Sequence, residues 1–290
     1  LTMGSRRIGL ARTQALIENL KRSINLSSPL RKLAGEAGQQ GDTTLIIGKN
    51  AGGDVTANPF SQSATQLFPL GTKLVYGDRT YRYAFSGEAN NAGVLLEGCA
   101  VVSANHRDCA VQAAAGAGTS VIKLTVNTTA VTANLYDEGY LHINDDTADA
   151  NSQGKLFKVK SHATGTGTVR FELYDEIDVE IPTTAKADLI KNAYTDVVKC
   201  ATTGVNATLG VTPIEIANDR YVRVQTGGPA SVLVADAALV LGQPAVRNFG
   251  TAGSARAIDS DSDTLSGQIG TCMVTNGAGG NAVVFLNLDV

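Results

Sequence analysis

Residues 169–181 read VRFELYDEIDVEI, and the period of this stretch decides the fold. Val169, Phe171 and Leu173 alternate with Arg170 and Glu172; Ile177, Val179 and Ile181 then alternate with Asp178 and Glu180. Side chains of an extended chain point to opposite faces in turn, so a period of two writes a strand with one dry and one wet face. The same period recurs at Ile122, Leu124 and Val126, at Leu141 and Ile143, and at Phe157 and Val159 among Lys155, Lys158 and Lys160. Asp137-Glu138-Gly139, Asn144-Asp145-Asp146 and Gly165-Thr166-Gly167 supply turn signals between these runs. Short strands at such spacing predict antiparallel barrels or sandwiches.

Further along, residues 214–216, 221–225, 231–235, 238–241 and 283–288 read as strands, with Gly227-Gly228-Pro229 and Gly242-Gln243-Pro244 as turns. Residues 186–200 are open between a short helix and a strand. The chain has 31 glycines, no Trp and only 5% aromatics, so its core is assigned to Val, Leu, Ile and Ala. The expected fold is mainly β: an N-terminal helical arm followed by two antiparallel β modules, barrel- or sandwich-like. The boundaries are 1–34 for the arm, 35–70 for an extended linker, 71–200 for the first module and 201–290 for a second, smaller barrel-like one.

Charge separates the arm from the rest. Arg6, Arg7, Arg12, Lys21, Arg22, Arg31 and Lys32 face a single acid, Glu18, so residues 1–32 carry +6; the whole chain is −3, which leaves −9 beyond them. Ile8, Ala11, Ala15, Leu16, Leu20 and Ile24 recur at three- and four-residue steps, which predicts a helix from about Arg7 to Ser23, stopped before Pro29. The seven basic residues are candidate anchors to an acidic protein neighbour. Nucleic acid is the weaker reading of the arm, because aromatic stacking residues are missing from it.

Four stretches, Gly71 to Phe85 (GTKLVYGDRTYRYAF), Asn134 to Asp145 (NLYDEGYLHIND), Tyr221 to Val234 (YVRVQTGGPASVLV) and Ile269 to Asp289, resemble structural proteins of tailed phages of the marine and cyanobacterial type. The resemblance implies a capsid decoration or cement subunit in the virion, made in the host cytoplasm. It further implies binding to the major capsid protein from outside an icosahedral shell, commonly as a homotrimer. A tail or spike component touching the host surface is the alternative, and it would call for exposed aromatic residues.

The chemical motifs are sparse, and the expectation is a protein that is not an enzyme and takes no cofactor. Asp259, Asp261 and Asp263 place oxygens at alternate positions like the start of a calcium loop, but Thr264 stands where Gly is needed and Gly270 where Glu is. His106, Arg107, Asp108 and Cys109 are the sole run with nucleophilic potential, yet neighbours on one strand or turn cannot converge on a reacting atom. The three histidines read as two on the surface and one partly buried. Cys99, Cys109, Cys200 and Cys272 lack metal-ligand spacing and read as reduced, mostly buried thiols. No apolar run approaches the roughly 18–20 residues of a membrane-spanning helix.

Overall fold

A computed structural model describes the backbone of Leu45–Ile47 and residues 58–98, 104–146, 151–203, 206–235, 238–258 and 267–289. Among these residues the regular structure is strand, with one 3-10 turn at Ala104–His106 and no α-helix. The mainly β expectation holds. The helix foreseen in the arm, and most of the linker, lie outside the described residues.

The chain first lays down β1 (Leu45–Ile47), β2 (Lys73–Tyr76), β3 (Arg79–Ser86) and β4 (Leu95–Glu97). Six strands follow: β5 (Cys109–Ala113), β6 (Val121–Val131), β7 (Tyr140–Asp146), β8 (Leu156–His162), β9 (Gly165–Leu173) and β10 (Ala185–Ile190). They close into a barrel in the order β10-β5-β6-β9-β8-β7. The rest comprises β11 (Val198–Lys199), β12 (Thr208–Val211), β13 (Arg220–Leu233), β14 (Pro244–Arg247), β15 (Ala255–Ala257), β16 (Gln268–Val274) and β17 (Asn281–Asn287). These join β1–β4 in an 11-stranded sheet, so strands from both sides of residue 200 share it.

The barrel follows from the alternation. Ile122, Leu124, Val126, Leu141, Ile143, Phe157, Val159, Val169, Phe171 and Leu173 all point inward and are buried. Each such side chain contributes roughly 1.5–3 kcal/mol when fully buried. Ile177 and Ile181 depart from expectation, because the strand foreseen there does not form. Ile177 exchanges backbone bonds with Thr119 and Gly118, and Ile181 with Ala115, so the segment crosses a loop of the barrel and joins no ladder. Its period of two still inserts both isoleucines into the barrel core. At Ala163-Thr164 the chain turns between β8 and β9, which leaves Gly165 and Gly167 inside β9.

The clearest correction concerns Gly227-Gly228-Pro229. No turn forms there; β13 runs through it for 14 residues. Its first half pairs with β3 and its second with β17, and the register shifts between Gln225 and Gly227. Gly228 sits at φ +78°, and a Cβ on it would lie 2.2 Å from the Asp78 carbonyl oxygen. Two glycines therefore bend one strand from one partner to the next. Residues 238–241 also form no strand: the Val240 carbonyl accepts from Gln243 N–H, closing a turn into β14. Ile214–Ile216 reduces to a single bridge between Ile216 and Asn90.

The two faces of β3 differ. Tyr81, Tyr83 and Phe85 share one face with their partners Leu74, Arg223 and Tyr221, under Phe60 and Phe68. Arg82, on the other face, holds Asp289 through Nε–Oδ2 at 2.6 Å and Nη2–Oδ1 at 2.7 Å. Elsewhere in the sheet Arg247 Nη2 lies 2.6 Å from Glu97 Oε2, both residues 2% exposed; this is an ion pair that is not aligned as a hydrogen bond.

Barrel and sheet meet where the chain crosses between them. It leaves after Glu97 and returns at Val198, and those two residues are paired across β4 and β11. A Cβ on Gly98 would stand 3.1 Å from the Ala193 carbonyl oxygen. Glu138 fastens the junction: its carboxylate accepts from Leu70 N–H and Gln66 Nε2, and its carbonyl accepts from Asn192 Nδ2. Burial pushes the Glu138 carboxyl up and the Lys158 amine down.

Candidate functional site

The anchor candidates Arg6, Arg7, Arg12, Lys21, Arg22, Arg31 and Lys32 and the acidic loop Asp259, Asp261 and Asp263 lie outside the described residues. Among the described residues no group of three or more His, Cys, Asp or Glu side chains is placed to hold a metal.

The His106–Cys109 run is pulled apart by the fold. His106 is 1% exposed; its Nε2–H donates to the Thr129 carbonyl at 3.0 Å, so Nδ1 is the acceptor for the Tyr136 hydroxyl at 2.6 Å. His162 Nε2 accepts from Tyr136 N–H at 3.0 Å, and its Nδ1–H donates to the Ala163 carbonyl. Both imidazoles are thus tied to one tyrosine in fixed tautomers within the barrel wall. This corrects the expected exposure: His106 and His162 are buried, while the His142 side chain is 37% exposed. Asp108 faces outward and accepts from Asn144 Nδ2. Burial, reinforced by Asp188 and Asp108, pushes the Cys109 thiol up to about 11, the opposite of what a nucleophile needs. Cys200 is likewise pushed up to about 11, chiefly by burial. Cys109, Cys200 and Cys272 are buried free thiols, as expected. The network braces the barrel.

The surface holds what the motif search missed. Strands β16 and β17 bury Ile269, Cys272, Ala282, Val284 and Leu286 on one face. On the opposite face, paired residues line up across four strands: Pro229 with Phe285, Phe285 with Thr271, and Thr271 with Pro244. A second row pairs Ser231 with Val283 and Val283 with Val274. Phe285 is 49% exposed and Val274 55%, with Met273 exposed beside them. The sequence did carry a signal. Val283-Val284-Phe285-Leu286 is an unbroken apolar run, the pattern of a strand covered on both sides, and here the fold covers only one.

A groove of about 260 Å³ lies beside β4, lined by Asn90, Val94, Lys199, Glu215 and Leu233 among others. Its ionisable lining residues are Lys199 and Glu215. Comparisons with family models, with curated proteins and with solved structures found no match to this chain.

Proposed function

We propose that this protein is a non-enzymatic structural subunit of a tailed-phage virion that binds the outer surface of the icosahedral shell as a decoration or cement protein. The observation that carries the reading is the apolar ladder of Pro229, Phe285, Val283 and Val274 on the open face of the sheet. Single exposed apolar residues are ordinary, whereas a contiguous set crossing several strands marks a contact surface. The four quoted stretches point to the partner: their resemblance to phage structural proteins makes it the major capsid protein, engaged by an oligomer such as a trimer. Several modest contacts then act together through multivalency. The basic arm adds an electrostatic tether on this reading, a +6 segment reaching for an acidic neighbour.

Co-sedimentation with purified capsids stripped of the protein tests this. The full chain pellets with the capsids, Phe285→Glu weakens pelleting at least about tenfold because it buries an unpaired charge, and removal of residues 1–32 abolishes it while the β body stays folded. A full chain that stays in the supernatant with intact capsids overturns the reading.

A further inference from the structure

The loop that joins β6 to β7 carries Tyr136, Asp137 and Glu138 in succession. His162, at the end of β8, lies against it with no exposed side-chain surface. Its Nδ1–H donates to the Ala163 carbonyl at 3.2 Å and its Nε2 accepts from Tyr136 N–H at 3.0 Å, so the neutral ring has both nitrogens engaged. The Asp137 carboxylate stands beside this bond. Its Oδ1 is 3.8 Å from Nε2, buried, and without a hydrogen-bond partner. A buried carboxylate oxygen calls for a donor. Burial accordingly pushes the Asp137 carboxyl above its ordinary value, against the influence of His162.

A second proton on the ring goes to Nε2, where it meets Tyr136 N–H: two donors at a spacing suited to a donor and an acceptor. That bond breaks. Movement of about 1 Å brings the new Nε2–H onto Asp137 Oδ1 as a charge-assisted hydrogen bond. One proton therefore takes the acceptor from Tyr136 and gives Asp137 its donor. His106, bound to the other end of Tyr136, has no such conflict, because a hydroxyl can turn from donor to acceptor and a backbone N–H cannot. The other side of His162 is the Phe171 ring, which carries no charge. Lys158 and Tyr174, from β8 and the end of β9, act on Glu138. Glu138 adjoins Asp137 and clasps Leu70 N–H and Gln66, so a displaced Asp137 pulls on the barrel–sheet junction.

We propose that His162 and Asp137 form a proton-operated latch: protonation of the ring exchanges its bond with Tyr136 N–H for one with Asp137, slackens the hold of Glu138 on Leu70, and loosens the barrel from the sheet in acid. This holds wherever the protein assembles.

Hydrogen exchange of the full chain tests it, with side-chain NMR of the three histidines reporting ring protonation. From about pH 7.5 to pH 5, the range in which imidazoles ordinarily change charge, His162 Nε2 gains a proton. Over the same range the protection of the Tyr136 and Leu70 amides, corrected for the chemical exchange rate, falls at least about tenfold. The Leu124 and Val169 amides inside the barrel keep theirs. Asp137→Asn removes the counter-charge and moves the midpoint down by about one pH unit or more. His162→Gln removes the response; because that variant could fail to fold, Asp137→Asn in the partly exposed loop is the deciding one. Glu138→Gln leaves the Tyr136 response in place. Constant protection at Tyr136 or Leu70, a ring that gains no proton above about pH 5, an unmoved midpoint in Asp137→Asn, or a Tyr136 response lost in Glu138→Gln overturns the proposal.

Discussion

Asp289 shows how one carboxylate ties down a strand end. Arg82 grips it with two nitrogens, Thr226 donates to it and Lys73 stands 3.8 Å away, so the Arg82 hydrogen bond above all holds its carboxyl below the ordinary 3.8. A depressed carboxyl stabilises the fold above its unfolded pKa and loses that contribution as pH falls through the folded one. Asp289→Asn is therefore expected to lower stability by about 1–3 kcal/mol at neutral pH. The gap between variant and wild type closes as the pH drops below about 3.8. Urea unfolding at a series of pH values measures it, and a pH-independent gap would count against the ion pair. At this scale the sequence is least legible. Arg223 reads as one more alternating basic residue, because the Phe68 and Tyr83 rings on which its guanidinium lies are far away in sequence and only the fold brings them to it. Tyr136 likewise carries no mark of the two histidines it links.

Strands are where the sequence reads most clearly, and its failures have physical causes. Val169, Phe171 and Leu173 announced β9 because one face of it is buried and the other wet. Ile177 and Ile181 gave the same signal without a ladder, since alternation reports which side chains go inward and not what the backbone bonds to. Gly227-Gly228-Pro229 read as a turn because turn and bulge ask for the same residues. The difference is the partner strands, β3 and β17, which lie far away in sequence. Gly228→Ala tests the bulge: with φ at +78° and the Asp78 oxygen 2.2 Å from the added Cβ, the expected loss is about 2–4 kcal/mol. Ala at Gly277, where nothing lies within 4 Å, serves as the control. Equal denaturation midpoints for the two variants would refute the role given to Gly228.

At the scale of the molecule, the barrel is an insertion between two paired strands of the sheet. Its alternation was visible; the insertion was not, because β4 and β11 are three and two residues long and carry no period. Replacing residues 99–193 by a Gly/Ser linker of about four residues is expected to leave the sheet folded. Gly98 and Ala193 are close enough to be joined, and the sheet's own clusters do not include barrel residues. The product should melt cooperatively at a lower temperature, having lost the Glu138 contacts to Gln66 and Leu70. Aggregation or a non-cooperative melt would show that the sheet depends on the barrel. The same crossing has a mechanical consequence. Both connections depart from the same end of the β4–β11 pair, so tension on the barrel pulls that pair open like a zip, parting Glu97 from Val198 before Leu96 from Lys199. Such a joint yields one contact at a time under low force, while the 14-residue β13 keeps the rest of the sheet from following.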